Sequence, residues 1–86
     1  MNENTVLGID VAKDKGDVVL LLGDKIRRRA FGNKPTGHGK LLDWLTRHNA
    51  TDCPVCLEAT GVYGEELAVF LHGHKVRVSV AAHRGP

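Results

Sequence analysis

The stretch that decides the fold is Thr5-Val-Leu-Gly-Ile-Asp10, a short apolar run that ends in a carboxylate. A second run, Cys53-Pro-Val-Cys-Leu-Glu58, has the same form. Apolar runs of four to eight residues, rich in β-branched side chains, are typical of buried strands. If the two strands are neighbours in one sheet, Asp10 and Glu58 lie side by side at the same end of that sheet. This pair of acids is therefore the first candidate for a functional site.

Length and composition indicate one small folded domain. The chain has 86 residues, of which 42% are hydrophobic and 26% are charged, as is ordinary for a globular protein. The net charge of +2 permits nucleic acid as a partner without arguing for it. The sequence has no membrane-length apolar stretch, no signal-peptide pattern at its start and only two cysteines. We therefore expect a cytoplasmic protein with no membrane partner.

Three strands joined by short turns are predicted first. They cover Val6 to Val11, Asp17 to Leu22 and Lys25 to Phe31. The second strand is apolar on both alternating faces, which predicts a central position in the sheet. Gly23-Asp24 suits a two-residue hairpin turn. The third strand carries Arg27, Arg28 and Arg29, and such charge suits an edge strand.

Two helices are predicted in the second half of the chain. Thr36 is expected to cap the first helix, which should end near Asn49. Its apolar residues fall at helical spacing, at Leu41, Leu42, Trp44 and Leu45. The second helix is expected to start at Thr60 or Gly61 and to end just before Gly73. Its apolar stripe is Tyr63, Leu67, Phe70 and Leu71.

Each of these helices is followed by a predicted strand. The fourth strand opens at Pro54, and Val55-Cys-Leu57 forms its short buried body. The fifth strand covers Lys75 to Val80, where apolar and polar residues alternate strictly. Residues 81–86 are expected to be a tail, so the predicted domain covers residues 1–80.

The element order β-β-β-α-β-α-β predicts an α/β fold with a mixed five-stranded sheet. Short turns make the first three strands an antiparallel meander, and the two helical connections should be parallel, right-handed crossovers. The compact arrangement places the fourth strand beside the first, which gives the strand order 3-2-1-4-5. Asp10 and Glu58 then lie on adjacent strands, about 5 Å apart at the backbone. Open α/β sheets bind their ligands at such a reversal of strand order.

The handedness of the crossovers also predicts an uncovered face. Both crossovers step in the same direction across the sheet, so both helices should lie on one face. The opposite face includes one side of the apolar second strand and has no predicted element to cover it. Uncovered apolar faces of this kind are typical of interaction surfaces. We expect this face to be buried in a homodimer.

Two carboxylates at neighbouring strand ends are suitable ligands for a hard cation such as Mg²⁺ or Mn²⁺. Paired ions of this kind stabilise the attacking and leaving oxygens in phosphodiester displacement. Sites for that chemistry usually contain more than two acids. The alternative is that Asp10 and Glu58 are solvated strand-end carboxylates, and the pattern alone does not choose between the two interpretations.

Three motifs of the chain together resemble one family. They are Gly8-Ile-Asp-Val-Ala-Lys-Asp14, Phe31-Gly-Asn33 with Gly37 and Leu42-Asp-Trp-Leu45, and Leu57-Glu-Ala-Thr-Gly-Val-Tyr63. In this order they resemble the DEDD-type transposases related to the pilin-gene invertase. The resemblance implies a RuvC-like, ribonuclease-H-like domain and Mg²⁺-dependent phosphodiester transfer on DNA. It implies that Asp10 and Glu58 are the first two catalytic, metal-binding acids, and that Thr60, Gly61 and Tyr63 flank the second.

The chain also departs from that family. The family's other two aspartates lie further along, in a Lys-Thr-Asp-like segment after the fifth strand. This sequence ends at His83-Arg-Gly-Pro86, before any such segment. We therefore expect an N-terminal fragment of a transposase, with a truncated ribonuclease-H-like domain. Alone, it should bind Mg²⁺ or Mn²⁺ weakly and be inactive on DNA.

Two other function classes remain open. The chain could be a non-catalytic dimerisation or assembly module, which would respond to neither metal nor nucleotide. It could also be a fragment of an actin-like ATPase or sugar kinase, in which the turn after the first strand touches phosphate. The turn residues Val11-Ala12-Lys13 lack the glycine and hydroxyl groups that such a turn favours. Stabilisation by nucleotide would favour this class.

The remaining polar residues carry weaker signals. Arg27, Arg28 and Arg29 could contact the DNA backbone, although a charged edge strand that prevents aggregation explains them as well. Cys53 and Cys56 invite a zinc interpretation, but Cys56 falls within a strand body. Buried or bystander thiols are the favoured interpretation of both cysteines.

Overall fold

The computed structural model describes residues 5–60 and 62–83. Its elements follow the predicted order β-β-β-α-β-α-β. They are β1 (Thr5–Val11), β2 (Lys15–Leu22), β3 (Lys25–Gly32), α1 (Pro35–Arg47), β4 (Val55–Thr60), α2 (Glu65–Gly73) and β5 (Val78–His83). No helix in this described part of the chain is long and apolar enough to cross a membrane.

The five strands form one mixed sheet in the order β3-β2-β1-β4-β5, as predicted. β1 pairs antiparallel with β2, and β2 pairs antiparallel with β3. β1 pairs parallel with β4, and β4 pairs parallel with β5. The tight connection between β2 and β3 is possible because Gly23 adopts a φ of +65°, a backbone conformation that glycine reaches at no steric cost.

Both helices pack on one face of this sheet and share one core with it. Alternate residues of β1 and β2 point into the core, while α1 and α2 each contribute an apolar stripe. The core side chains with no exposed surface are Leu7, Val18, Leu20, Leu45, Ala50, Leu57, Leu67 and Leu71. Each buried leucine or valine contributes about 1.5–3 kcal/mol to folding, so this single layer of packing is what holds a small domain together.

The opposite face of the sheet has no helix over it in the described residues. We call it the open face. Apolar side chains remain partly exposed there, with 45% of Val6, 39% of Leu21 and 53% of Ile26 accessible to solvent. The register places Val6 opposite Leu21, and Leu21 opposite Ile26, so the three side chains form one row across the sheet. The uncovered apolar surface that the crossovers predicted is therefore present.

α1 starts earlier than the sequence predicted, and α2 starts later. α1 begins at Pro35 with Lys34 as its N-cap, so Thr36 is a helical residue and the prediction of a Thr36 cap is wrong. Proline suits the first helical position because its missing N–H needs no partner there. α2 begins at Glu65 with Gly64 as its N-cap, not at Thr60 or Gly61. A side chain at Gly64 would overlap the side chains of Ala59 and Leu57 in β4, so the residue before α2 packs closely against that strand.

The fifth strand also lies three residues further along than predicted, at Val78–His83 instead of Lys75 to Val80. Lys75 has a φ of +64°, which no strand residue adopts, and Val76 is buried in the core before the strand starts. Residues 81–83, expected to be a tail, continue the sheet. Tyr63, predicted to lie on the stripe of α2, precedes that helix and is 40% exposed.

Candidate metal and DNA site

Asp10 and Glu58 are direct neighbours across the parallel pair β1 and β4. Adjacent strands lie about 4.8 Å apart, so the register brings the two carboxylates to one point of the sheet. Both side chains are exposed, and both point to the open face, away from the helices. The two acids are therefore neighbours, as predicted. They lie on the side of the sheet that has no helical cover in the described residues.

A third carboxylate, Asp17, joins this surface from the other side of β1. It lies directly opposite Asp10 in the antiparallel pairing with β2. Asp10, Asp17 and Glu58 line one shallow depression of about 320 Å³ on the open face. Sequence reasoning missed Asp17, because it counted this residue only as the start of an apolar strand. Pairing residues outward from the short turn after Val11 would have placed Asp17 opposite Asp10.

The floor of this depression is small and largely apolar. It is lined by Gly8, Ile9, Val19 and Cys56 in addition to the three acids. Among residues 5–60 and 62–83, no group of three or more His, Cys, Asp or Glu side chains is arranged to hold a metal ion. Asp10 and Glu58 thus provide oxygen donors from two rigid strands, which fits a hard divalent cation, but they provide only part of a coordination shell.

The loops that follow the two acid-bearing strands are tied together by Asn33. Its side-chain nitrogen donates to the carbonyl oxygen of Ala12, at 2.9 Å, and to that of Tyr63, at 2.8 Å. Its backbone N–H donates to the carbonyl of Asp14 at 3.0 Å. Tyr63, a predicted motif residue, therefore contributes its backbone to the site region while its side chain is exposed.

The other predicted motif residues give less information. Thr60 is the last residue of β4. The side chain of Thr60, and Gly61 as a whole, lie outside the described residues. Of the two cysteines, Cys53 is buried with its thiol donating to the carbonyl of Ala50 at 3.1 Å, and Cys56 is exposed on the open face. No structural metal site joins the two thiols within the described part of the chain.

His38 lies beneath Asn33 and is 97% buried, with 3% of its surface exposed. Its Nε2 atom is 2.8 Å from the side-chain oxygen of Asn33. Burial lowers the pKa of His38 below its usual value, and the nearby Glu66 carboxylate opposes that shift. The ring is therefore neutral at physiological pH. It belongs to the support of the site, because it lies on the helix-covered side of the sheet.

The three arginines of β3 do not form one patch. Arg28 lies opposite Val19 and so shares the open face with the acids. Arg27 and Arg29 lie opposite the buried residues Leu20 and Val18, which places them on the helix side. Arg29 lines a small depression with Lys40, Asp43 and Arg47 of α1. All three belong to an edge strand, as predicted.

Comparison with known families places this site in context. The family model for DEDD transposases of the IS110 type, described as transposase, matches residues 7–84. The pilin gene-inverting protein of Moraxella bovis is 32% identical over 78 residues, which cover 88% of this chain and 24% of that protein. The protein of the same name from Moraxella lacunata matches equally well. The chain therefore spans about a quarter of the length of these relatives.

Solved structures share the fold at low sequence identity. RuvC of T. thermophilus, solved in complex with a Holliday junction substrate, has a TM-score of 0.63 at 14% identity, over 91% of this chain and 64% of that one. YeaZ from Pseudomonas aeruginosa has a TM-score of 0.51 at 18% identity, over 92% and 44% of the two chains. The predicted ribonuclease-H-like, RuvC-like fold class is confirmed.

Proposed function

We propose that this chain, which belongs to the DEDD transposase family, contributes Asp10 and Glu58 to a metal-dependent site for phosphodiester transfer on DNA. The observation that carries the proposal is the register of β1 and β4, which makes these two acids direct neighbours on the open face. Exposed strand-end carboxylates alone would be an ordinary finding. Here each acid also lies in a stretch that resembles a family motif, within a match that covers residues 7–84, which supports the proposal.

The chain's own residues would perform two tasks in this site. Asp10 and Glu58 would hold a Mg²⁺ or Mn²⁺ ion through carboxylate oxygens, from two paired neighbouring strands of the sheet. When bound, the ion would supply positive charge to the oxygens of the phosphodiester under attack. Because two carboxylates fill only part of a coordination shell, we expect weak metal binding by this chain and no DNA cleavage by it alone.

A metal titration followed by NMR tests the role of the two acids. Mn²⁺ should broaden the amide signals around Asp10 and Glu58 together, because one ion lies between them. Asp10→Asn and Glu58→Gln should each weaken this response about tenfold or more, since each removes a charged ligand. Asp24→Asn, in the exposed hairpin turn, is the matched control and should leave the response unchanged. An equal response in all four proteins would contradict the proposal.

The same titration separates this proposal from the two alternatives. An assembly module without metal chemistry would show no localised response to Mn²⁺. An actin-like ATPase or sugar-kinase fragment would be stabilised by nucleotide, and thermal unfolding with and without nucleotide measures that effect.

DNA would reach this site along the open face. Arg28 is the β3 arginine that shares this face with the acids, so it is the one placed to contact a phosphate there. Loss of one phosphate contact reduces the slope of the logarithm of the DNA-binding constant against the logarithm of the salt concentration by about one. Arg28→Ala should therefore flatten the salt dependence of DNA binding, measured by fluorescence anisotropy. Arg27→Ala, on the helix side, should change it less; the reverse order would place the DNA elsewhere.

A second copy of the chain is the proposed cover for the apolar part of the open face. The row of Val6, Leu21 and Ile26 offers apolar side chains from three neighbouring strands. This row lies four residues along β1 from Asp10, or about 13 Å, so a partner could cover it and leave the acids accessible. Sedimentation at high protein concentration should show a dimer. A single monomeric species throughout would refute this proposal.

A further inference from the structure

One side chain joins the two loops that leave the candidate site. Ala12 follows β1, two residues after Asp10, and Tyr63 lies in the loop after β4, five residues after Glu58. The side-chain NH₂ group of Asn33 donates one hydrogen bond to the carbonyl of each residue, at 2.9 and 2.8 Å. The last paired residues of β1 and β4 are Val11 and Ala59. Asn33 therefore joins the two loops that follow the end of this strand pairing.

The orientation of Asn33 is itself fixed by His38. Both carbonyls are acceptors, so the side-chain nitrogen of Asn33 must face them and its oxygen must face His38. The histidine consequently donates from Nε2, across a distance of 2.8 Å. Phe31 and Phe70 lie against its ring, with ring centroids 6.5 and 5.8 Å away. These neighbours leave the imidazole little freedom to turn away from Asn33.

Gly37 allows α1 to approach β3 closely enough for His38 to contact Asn33. A side chain at Gly37 would overlap the carbonyl group of Gly32, so the first turn of α1 can approach the end of β3 only without one. That approach places His38, the next residue, against Asn33. These residues thus form one unit. Gly37 allows the close approach, His38 orients the side chain of Asn33, and Asn33 bridges the two loops.

We propose that Asn33, oriented by His38, is a positioning residue that sets the separation of the Asp10 and Glu58 carboxylates. This inference rests on the proposed function, because it assigns a purpose to a bridge between the two acid-bearing strands. Neither residue lines the depression that contains the acids. The bridge acts through the backbone: it holds together the loops that follow β1 and β4, and so limits how far the two acid-bearing strands can shift relative to each other.

Four variants separate this role from general stabilisation. Asn33→Asp keeps the size of the side chain but places an oxygen against two carbonyl oxygens. His38→Leu removes the donor to Asn33, whereas His38→Gln keeps an N–H at a similar position. Val76→Ala removes core volume away from the bridge and serves as the control for lost stability. Urea denaturation of all four measures how much stability each one loses.

The first readout needs no metal. In the wild type, NMR should show slowly exchanging Asn33 side-chain NH₂ protons, a His38 ring protonated on Nε2, and contacts between the Ala12 and Tyr63 loops. His38→Gln should retain the loop contacts and the protected NH₂ protons, and His38→Leu should lose both. Loop contacts that persist in Asn33→Asp and in His38→Leu would overturn the bridge.

The second readout is the Mn²⁺ response. Loss of an orienting partner in a metal site typically costs tenfold or more in affinity, so we expect about a tenfold weaker response in Asn33→Asp. His38→Leu should also be weakened, and His38→Gln should recover to within about twofold of the wild type. Unchanged affinity in Asn33→Asp and His38→Leu, or an equal loss in Val76→Ala, would overturn the positioning role. No Mn²⁺ response in the wild type would instead overturn the proposed function, and the first readout would still decide the bridge.

Discussion

Gly37 and Gly39 lie two residues apart in α1 but differ in what a side chain would meet. A Cβ atom at Gly37 would overlap the backbone of Gly32, whereas one at Gly39 would meet nothing within 4 Å. We predict that Gly37→Ala lowers the free energy of unfolding by about 1–3 kcal/mol, the usual cost of overpacking. Gly39→Ala should raise it by up to about 1 kcal/mol, because alanine is the better helix former. Urea denaturation measures both.

The opposite signs of these two changes make the test specific. If Gly37→Ala were also stabilising, α1 would not approach β3 as closely as the Asn33 bridge requires. The helix propensity of alanine is the same at both positions, so only the collision with Gly32 separates the variants.

The buried His38 should make the stability of the fold depend on pH. Burial lowers its pKa, with Glu66 opposing the shift, so the folded state holds this proton less tightly than the unfolded chain does. The stabilisation from the neutral ring is then complete above the unfolded pKa of about 6.5 and is lost as pH falls below it. We predict that the wild type loses more stability between pH 7.5 and pH 5 than His38→Gln. Denaturation curves at the two pH values measure this difference, and equal losses would contradict the prediction.

The end of α2 places residue types in an unusual order. Gly73 is the last helical residue, and Lys75, two residues later, has a left-handed φ of +64°. After α1, by contrast, the left-handed position is held by Asn49, with a φ of +54°, a residue that tolerates this conformation. Glycine at the end of α2 is thus two residues too early to relieve the strain at Lys75.

This order predicts an easy stabilisation. Lys75→Gly should raise the free energy of unfolding by about 1 kcal/mol, because a left-handed conformation costs ordinary residues about 1–2 kcal/mol. Asn49→Gly is the matched control and should change it by only a few tenths. Thermal or urea unfolding of the two variants measures the difference. Similar effects at both sites would show that Lys75 bears no particular strain.

The elements could be predicted from sequence to differing degrees. Strand order followed from connection length: two short turns force a meander, and two helical connections force parallel neighbours. Helix starts could not be predicted as well, because neither helix has a side-chain hydrogen bond at its N-cap. α1 starts instead at a proline. α2 starts directly after Gly64, a residue that packs too closely against β4 to carry a side chain.

The candidate site was predictable where it depends on the sheet alone. Asp10 and Glu58 end apolar runs, so their pairing follows from the strand order. The bridge from Asn33 to Ala12 and Tyr63 was not predictable, because it joins loops 21 and 30 residues away from it through one side chain. No local pattern reports contacts of that kind.

The open face of the whole molecule has two unlike ends. The row of Val6, Leu21 and Ile26 is apolar, while Asp10, Asp17 and Glu58 lie about 13 Å further along β1. We predict that Ile26→Lys reduces dimer formation at least tenfold, because it places a charge in the apolar row. Val69→Lys, at a position 72% exposed on α2, should leave it unchanged. Sedimentation equilibrium measures both, and a dimer disrupted only by Val69→Lys would place the interface on the helical side.

The order of the strands also determines when the acids can meet during folding. β1, β2 and β3 are joined by turns of two or three residues, so their pairing closes short loops and should form early. β4 reaches β1 only after the chain has passed through α1, and long-range pairing of this kind is slow. A nascent or partly folded chain would then display Asp10 without Glu58. Under the proposed function, a metal ion would bind between the two acids only after the centre of the sheet is complete.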